Sequence, residues 1–214
     1  MFNTAAFVAL VLAVLTAPAL AQDENARVGE SGGNLVYEAE GHRFTSVRPL
    51  WFAEGATLED YNVIISGDEN STRFEIVRAE DDAQTWTYMY GMRIVREPER
   101  DLADYRRAAA YGYALSCEGE TGQIFLTDAD TETEVAPLIF VCGRFIPSAN
   151  RDGEGEMMAM AFRRTDEGIA VVYEEYRTGE FDGRDQTTWP INGTSIAARA
   201  RQLLAGAELT LLDD

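Results

Sequence analysis

The chain has 214 residues, with 37 acids against 18 bases and a formal net charge of −19 at pH 7, and every one of the bases is arginine. A charge of this size repels phosphate backbones and anionic lipid surfaces, which argues against nucleic acid and membrane surfaces as partners. The lack of lysine excludes Schiff-base and lysine-base mechanisms, and a single histidine, His42, limits any nucleophile–base arrangement.

The N-terminal segment, Met1–Ala21, has the pattern of a secretory signal peptide. An uncharged apolar run, Phe7–Leu15, is followed by Ala19-Leu20-Ala21 and then by polar Gln22. The run is shorter than the about 20 apolar residues that a membrane span needs. The sequence therefore predicts cleavage near Ala21 and a secreted or periplasmic protein with no transmembrane segment after cleavage.

Residues 22–33 are polar and contain three glycines, which predicts a flexible leader before a single domain at 34–214. This segment includes a letter match to G-x-S-x-G at Gly29–Gly33. A nucleophile elbow needs a strand before the serine and a helix after it. Neither is predicted here, so the match is interpreted as part of the leader.

The next part of the chain contains alternating apolar residues, with the period of two that is typical of strands. The pattern is clearest at Trp86–Val95, and a turn-rich spacer at Arg164–Gly168 predicts an antiparallel hairpin. Further strands are predicted at Leu35–Ala39, Phe44–Val47, Val63–Ser66, Arg73–Arg78, Gln123–Thr127, Leu138–Phe145, Met157–Arg163 and Ile169–Tyr176.

Two segments have helical periodicity. The first follows Pro98, with Asp101 as its predicted N-cap and one apolar face. The second spans Ser195–Ala205, with Thr194 or Ser195 as the N-cap and Gly206 as a natural stop. The residues on the apolar face of the first helix are Leu102, Tyr105, Ala109 and Tyr113.

Mostly sequence-adjacent strands with one helix in the middle and one at the end predict an α+β fold, an antiparallel β-sheet covered by two main helices. In the order of its elements the chain resembles the PsbP/Mog1-like α/β sandwich of many small exported or accessory proteins. The resemblance covers most of the mature chain and rests on layout, so it implies an exported accessory role and assigns no functional residue.

Cys117 and Cys142 are the only cysteines. In an exported chain an even count is most simply interpreted as a disulfide, here joining the end of the first helix to the sheet. A redox pair or a metal site fits less well, because there is no C-x-x-C spacing and only one histidine to complete a site.

Two runs of alternating carboxylates suggest weak calcium binding, although neither completes an EF-hand loop. The first has Thr133 where the loop needs glycine, and the second has Arg163 where it needs glutamate. Solvated loops are the simpler interpretation. The runs are Asp128, Asp130, Glu132 and Glu134, and Asp152, Glu154 and Glu156.

Carboxylates could also catalyse glycoside hydrolysis, which needs only an acid and a base or nucleophile. Glu174 and Glu175 follow an apolar strand, and at most one of them can point into a given cleft because adjacent strand residues face opposite ways. Tryptophans 51, 86 and 189 could stack on sugar. His42, in a polar stretch flanked by glycine, is interpreted as an exposed turn residue.

The leading hypothesis from the sequence is a non-enzymatic exported domain that binds or supports a protein partner in the cell envelope. No catalytic, metal or cofactor site is predicted, and neither a P-loop nor a dinucleotide fingerprint occurs. The exposed face of the sheet and the loops of Trp51 and Trp189 are candidate binding surfaces. The alternatives are a carboxylate-dependent hydrolase acting on a glycan and a calcium-stabilised module.

Overall fold

A computed structural model of the chain describes residues 26–96, 99–131, 134–149, 151 and 153–212. The predicted signal peptide, Met1–Ala21, lies outside these residues. The described residues form eleven strands and two α-helices: β1 Arg27–Ser31, β2 Asn34–Ala39, β3 His42–Val47, β4 Tyr61–Asp68, β5 Ser71–Arg78, β6 Tyr88–Val95, α1 Leu102–Leu115, β7 Gly122–Leu126, β8 Leu138–Cys142, β9 Glu154–Arg164, β10 Ile169–Gly179, α2 Gly193–Gly206 and β11 Glu208–Leu211.

The second half of the predicted leader is part of the fold. Residues 27–31 form β1, which pairs antiparallel with β2 in a register that places Ser31 opposite Asn34. Gly32 and Gly33 both have positive φ, 60° and 82°, as a two-residue hairpin turn of the type I′ kind requires. The prediction that the folded domain starts near Asn34 was therefore wrong. These glycines specify a turn, and Val28 packs on the core.

The strands form two antiparallel sheets, where the sequence predicted one. The small sheet has the order β1-β2-β3-β11, and the large sheet has the order β4-β5-β6-β10-β9-β8-β7. Two hairpin meanders, β4 to β6 and β7 to β10, make up the large sheet, and they join where β6 pairs with β10. The architecture is α+β with strands predominating.

One face of the large sheet is covered by the small sheet together with α2. Alternate residues of the strands point to this side, and they pack with Phe44 of β3 and Leu203 of α2 in a shared core. The sequence predicted that two helices cover the sheet. This was only partly right, because the small sheet shares the covering layer with α2. Half of this layer is a second sheet.

The opposite face of the large sheet is only partly covered. Helix α1 packs over β7, β8 and β9, where Phe140 and Phe162 lie in a second core with the helix side chains. The face of β5, β6 and the adjoining part of β10 is left beside the helix as the floor of an open cleft. This arrangement places the cleft described below.

The predicted disulfide is present. Cys117, two residues past α1, is bonded to Cys142, the last residue of β8, with their Cα atoms 5.6 Å apart. The bond fixes the C-terminus of α1 to the large sheet, so it also fixes one wall of the cleft.

Both helices occur near the predicted positions. Asp101 caps α1, and its side chain accepts hydrogen bonds from the backbone N–H groups of Ala103 and Asp104. Helix α2 begins earlier than predicted, because Asn192 rather than Thr194 or Ser195 is its N-cap. Within the described residues, no helix has both the length and the apolarity to cross a membrane.

Candidate functional site

The cleft between α1 and the exposed part of the large sheet has a volume of about 620 Å³. Its floor comes from β5, β6 and β10, and its wall from the face of α1 that carries Tyr105 and Tyr113. The volume falls in the range of small-molecule sites, about 300 to 1,000 Å³. Side chains of both charges and several aromatic rings line it.

A glycine in the middle of β6 allows the floor to form. Gly91 lies opposite both Glu75 of β5 and Tyr173 of β10 in the strand register. A Cβ on Gly91 would meet the Tyr173 ring at 2.2 Å, so the ring lies directly over the glycine. Its hydroxyl thereby crosses the intervening strand and donates a hydrogen bond of 2.8 Å to Glu75.

Glu175 lies two residues after Tyr173 in β10 and therefore faces the same cleft. It is only 5% exposed, yet no side chain or backbone group in the described residues forms a hydrogen bond or ion pair with its carboxyl group. Burial raises the pKa of Glu175 well above its usual range, and the charges of Glu156 and Glu75 raise it further. Burial thus favours the protonated carboxyl group, and an occupant of the cleft could form hydrogen bonds with it.

Near Glu175 lie two arginines and a fully buried glutamate. Glu156 accepts hydrogen bonds from Arg151 at 2.9 Å and from Arg177 at 3.3 Å. The guanidinium of Arg177 also stacks on the ring of Trp86, 3.6 Å from its centroid. This network holds Trp86 and Arg151 in place as part of the cleft lining.

Helix α1 contributes Tyr113 to the opposite wall. Its ring packs near Phe140, with centroids 5.6 Å apart, and the residue lines the cleft. Burial, followed by the negative charges of Glu175, Glu156 and Glu75, raises the pKa of Tyr113 well above its usual value. The phenol is therefore a hydrogen-bond donor throughout the physiological pH range.

Glu174 and Glu175 point to opposite faces of the sheet, as the strand geometry predicted. Glu174 is fully buried on the other side, where Arg199 of α2 donates a 2.5 Å hydrogen bond to it. It also accepts hydrogen bonds from the Tyr176 hydroxyl at 2.8 Å and from the Leu50 backbone at 3.3 Å. Glu174 therefore links α2 to the sheet, and only Glu175 reaches the cleft.

His42 is not an exposed turn residue, as the sequence had suggested. It is the first residue of β3 and is 1% exposed. Its two ring nitrogens lie 2.7 Å from the Glu40 carbonyl oxygen and 2.9 Å from the Thr165 hydroxyl. The positive φ of Glu40 and Gly41 turns the chain so that the imidazole packs under the β9–β10 hairpin, where its role is structural.

The carboxylates of the two alternating acidic runs are largely engaged by arginine. In the first run the ion pairs are Asp128–Arg201, Asp130–Arg106 and Glu134–Arg163. In the second run, Glu154 and Glu156 lie within reach of Arg177. Glu132 and Asp152 lie outside the described residues, and among the residues that are described no His, Cys, Asp and Glu side chains group into a set that could hold a metal ion.

The three tryptophans have different surroundings. Trp51 packs with Phe52 and Tyr61, and Trp189 packs near Phe125. Both therefore support the local fold of their loops. Trp86 is the tryptophan that lines the cleft.

Sequence reasoning missed most of the cleft, including Glu75, Tyr113 and Tyr173. One signal was available: Gly91 interrupts a strand of otherwise large side chains, and a glycine there indicates close approach of another group. The group that approaches it comes from β10, far along the chain, and the sequence alone does not show that pairing.

Comparisons with protein-family models, with curated proteins and with solved structures found no match to this chain.

Proposed function

We propose that the protein is an exported, non-enzymatic binding domain of the cell envelope, and that the cleft beside α1 is its ligand site. The observation that carries this proposal is Glu175, a buried carboxyl group that faces an open cleft and has no partner among the described residues. Buried polar groups in folded proteins are nearly always hydrogen-bonded, so one left without a protein partner is suited to a ligand.

The surroundings of Glu175 support the same proposal. Tyr113 is a donor that faces the cleft from α1, while Trp86 and Tyr173 offer aromatic surface. A few polar groups placed among apolar walls are typical of small-molecule sites. The N-terminal segment Met1–Ala21 supports export, and the Cys117–Cys142 disulfide is compatible with an oxidising compartment. The element-order resemblance to exported accessory proteins points in the same direction.

The proposal is tested by screening a library of small polar fragments against the ¹⁵N-labelled mature protein by NMR. Binding is expected to shift the backbone signals of Gly91, Tyr173 and Glu175. A bulky substitution on the cleft side of α1, Gly112→Trp, is then expected to abolish binding, because Gly112 lines the cleft and has open space around its Cβ position.

The matched control is Tyr111→Trp, at a neighbouring α1 residue that is 65% exposed and does not line the cleft. This variant is expected to bind fragments as the wild type does. Fragments that bind only away from the cleft, or equally well to Gly112→Trp, would contradict the proposal.

A second candidate, a carboxylate-dependent hydrolase acting on a glycan, is favoured by one observation. Glu75 and Glu175 line the same cleft but differ in environment. Glu75 accepts a hydrogen bond from Tyr173 and lies 3.6 Å from Arg73, whereas Glu175 has no partner among the described residues and burial favours its neutral form. Such divergence is what an acid and its partner carboxylate need.

This candidate is tested by incubating the protein with peptidoglycan and a panel of neutral polysaccharides and measuring released reducing ends. Activity that disappears in both Glu175→Gln and Glu75→Gln, and persists in the exposed variant Glu54→Gln, would support a hydrolase over a binding domain. Release that is unchanged in Glu175→Gln would rule out this mechanism.

A further inference from the structure

We propose that the end of the cleft formed by Arg73 and Arg93 binds an oxyanion, so that the ligand is a small organic acid carrying a carboxylate or phosphate group. This inference rests on the proposed binding function, because it names the chemical class of the ligand of the same cleft. The observation behind it is the juxtaposition of two arginines in the floor.

Arg73 of β5 lies directly opposite Arg93 of β6 in the strand register. Directly opposed residues of an antiparallel pair have Cβ atoms about 5 Å apart, and like charges in that position destabilise the sheet. Both side chains line the cleft. The molecule therefore holds two positive charges side by side on a cleft floor, in a chain that has about twice as many acids as bases.

Neighbouring protein groups satisfy these arginines only in part. Arg73 donates from Nε to the Ser66 hydroxyl at 3.0 Å and lies 3.6 Å from the Glu75 carboxylate, which is shared with Tyr173. Among the described residues, its two terminal nitrogens have no hydrogen-bond acceptor. A guanidinium presents five N–H donors in a planar fork, so most of the Arg73 donors remain for another partner.

Arg93 is in a similar position. One terminal nitrogen donates to the Ser71 hydroxyl at 2.8 Å, and Ser71 in turn donates to Asp68 at 3.2 Å. Within the described part of the chain, no carboxylate lies within 4.0 Å of the Arg93 guanidinium, although most of the other arginines there form an ion pair. Among the described residues Arg93 thus has no acidic partner, and a ligand can supply one.

An oxyanion matches these donors in charge and geometry. Carboxylate and phosphate oxygens accept paired N–H groups from guanidinium, and such charge-assisted hydrogen bonds are about twice as strong as neutral ones. Val95 and Val171 lie on the same part of the floor and provide apolar contact for the carbon skeleton. The ligand would then extend along the cleft towards Glu175, whose buried carboxyl group has no partner among the described residues.

The anion site is tested with inorganic phosphate and with acetate as separate probes, and with sodium chloride at matched ionic strength as the reference. The side-chain Nε–H signals of Arg73 and Arg93 in the ¹⁵N-labelled mature protein are expected to shift saturably with phosphate, with acetate or with both. The arm that saturates identifies the preferred oxyanion. The variant Arg93→Gln is expected to weaken that binding about tenfold or more.

Arg43→Gln serves as the matched control, because Arg43 is exposed on the small sheet and pairs with Glu38 away from the cleft. Its affinity for the probe is expected to equal that of the wild type. Arg93→Gln is also expected to fold with a melting temperature no lower than the wild type, since it removes a like-charge neighbour, and to lose the rise in melting temperature that phosphate gives the wild type.

Absence of a saturable shift with both anions, or equal affinity in the wild type and Arg93→Gln, would overturn the oxyanion site. The failure of this inference is distinguishable from failure of the binding function. Suppose that fragments bind the cleft of the wild type but anions leave the arginine signals unchanged. The binding function would then stand, and the oxyanion site would be contradicted.

Discussion

Glu175 makes the stability of the protein depend on pH in a direction opposite to that of most carboxylates. Burial raises its pKa in the folded state above the ordinary value of an unfolded chain. The folded state therefore favours the protonated form. The contribution of Glu175 to the free energy of unfolding is fully present below the ordinary carboxyl pKa. It is lost as the pH rises through the raised pKa of Glu175 in the folded protein.

We expect Glu175→Gln to be more stable than the wild type at about pH 8 and to differ little from it near about pH 4, where both side chains are neutral. Urea unfolding of both proteins across this range measures the difference. Glu54→Gln, at an exposed position, is the control for the change from a carboxyl group to an amide. A stability difference for Glu175→Gln that does not change with pH would contradict the assigned environment.

Gly91 is the second residue whose substitution has a clear expected effect. In Gly91→Ala the new Cβ would meet the Tyr173 ring, so the ring must move and its hydrogen bond to Glu75 is lost. We expect a loss of about 1–3 kcal/mol in the free energy of unfolding, as for other overpacked sites.

Gly112→Ala is the control for that change. Its Cβ has nothing within 4 Å, and alanine in a helix is favoured over glycine by about 1 kcal/mol, so this variant is expected to be slightly more stable than the wild type. Denaturant unfolding measures both variants. Equal stability of Gly91→Ala and Gly112→Ala would show that the Tyr173 ring is free to move without cost.

At the scale of elements, α2 is held on the sheet by a buried ion pair as well as by apolar contact. Arg199 of α2 and Glu174 of β10 are almost entirely buried. Removing one partner of a buried pair leaves an uncompensated charge, which costs about 3–5 kcal/mol. We therefore expect Arg199→Met to reduce the free energy of unfolding by about that amount.

The double variant Glu174→Gln with Arg199→Met is expected to recover part of this loss. Glutamine keeps an acceptor for the Tyr176 hydroxyl and the Leu50 N–H but carries no charge. A double-mutant cycle from denaturant unfolding gives the coupling between the two positions. Additive losses in the two single variants would contradict a coupled pair.

The elements themselves were largely predictable wherever one face is buried. The alternation in β5, β6, β9 and β10 and the capped periodicity of α1 predicted both type and position. β1 was missed because the polar segment that contains Gly29, Gly32 and Gly33 was interpreted as flexible. β11 was missed because its four residues alternate too briefly to give a signal, and it forms only by pairing with β3.

At the scale of the whole molecule, the disulfide is expected to be a large contributor to stability. Cys117 and Cys142 are separated by 25 positions, and a loop of that length corresponds to roughly 3.5 kcal/mol in the chain-entropy model. The variant with both cysteines changed to alanine is expected to have a free energy of unfolding lower by about that amount, which denaturant unfolding measures. Intact mass before and after reduction of the wild type is expected to differ by two hydrogens, and equal masses would contradict the disulfide.

The packing of the two sheets and the position of the cleft could not be predicted from the sequence, for one physical reason. Each depends on contacts between segments far apart in the chain. That Glu175 faces away from Glu174 follows from strand geometry alone, but the meeting of Glu75 with Tyr173 over Gly91 requires β6 to lie beside β10. Likewise, Arg73 opposite Arg93 depends on the register of one hairpin, which alternation does not fix to the residue.

The pairing of β6 with β10 has a consequence for the order of folding. Each meander of the large sheet is built from hairpins between consecutive strands, whereas this pairing joins Tyr88 to Tyr176 and closes a long loop. Because loop closure of that length slows folding, the two meanders are expected to form first and to dock late. The cleft floor spans this late junction between the two meanders. An occupant that touches both Glu75 and Glu175 would therefore hold the two meanders together. Hydrogen exchange of the backbone amide protons along β6 and β10 would then become slower.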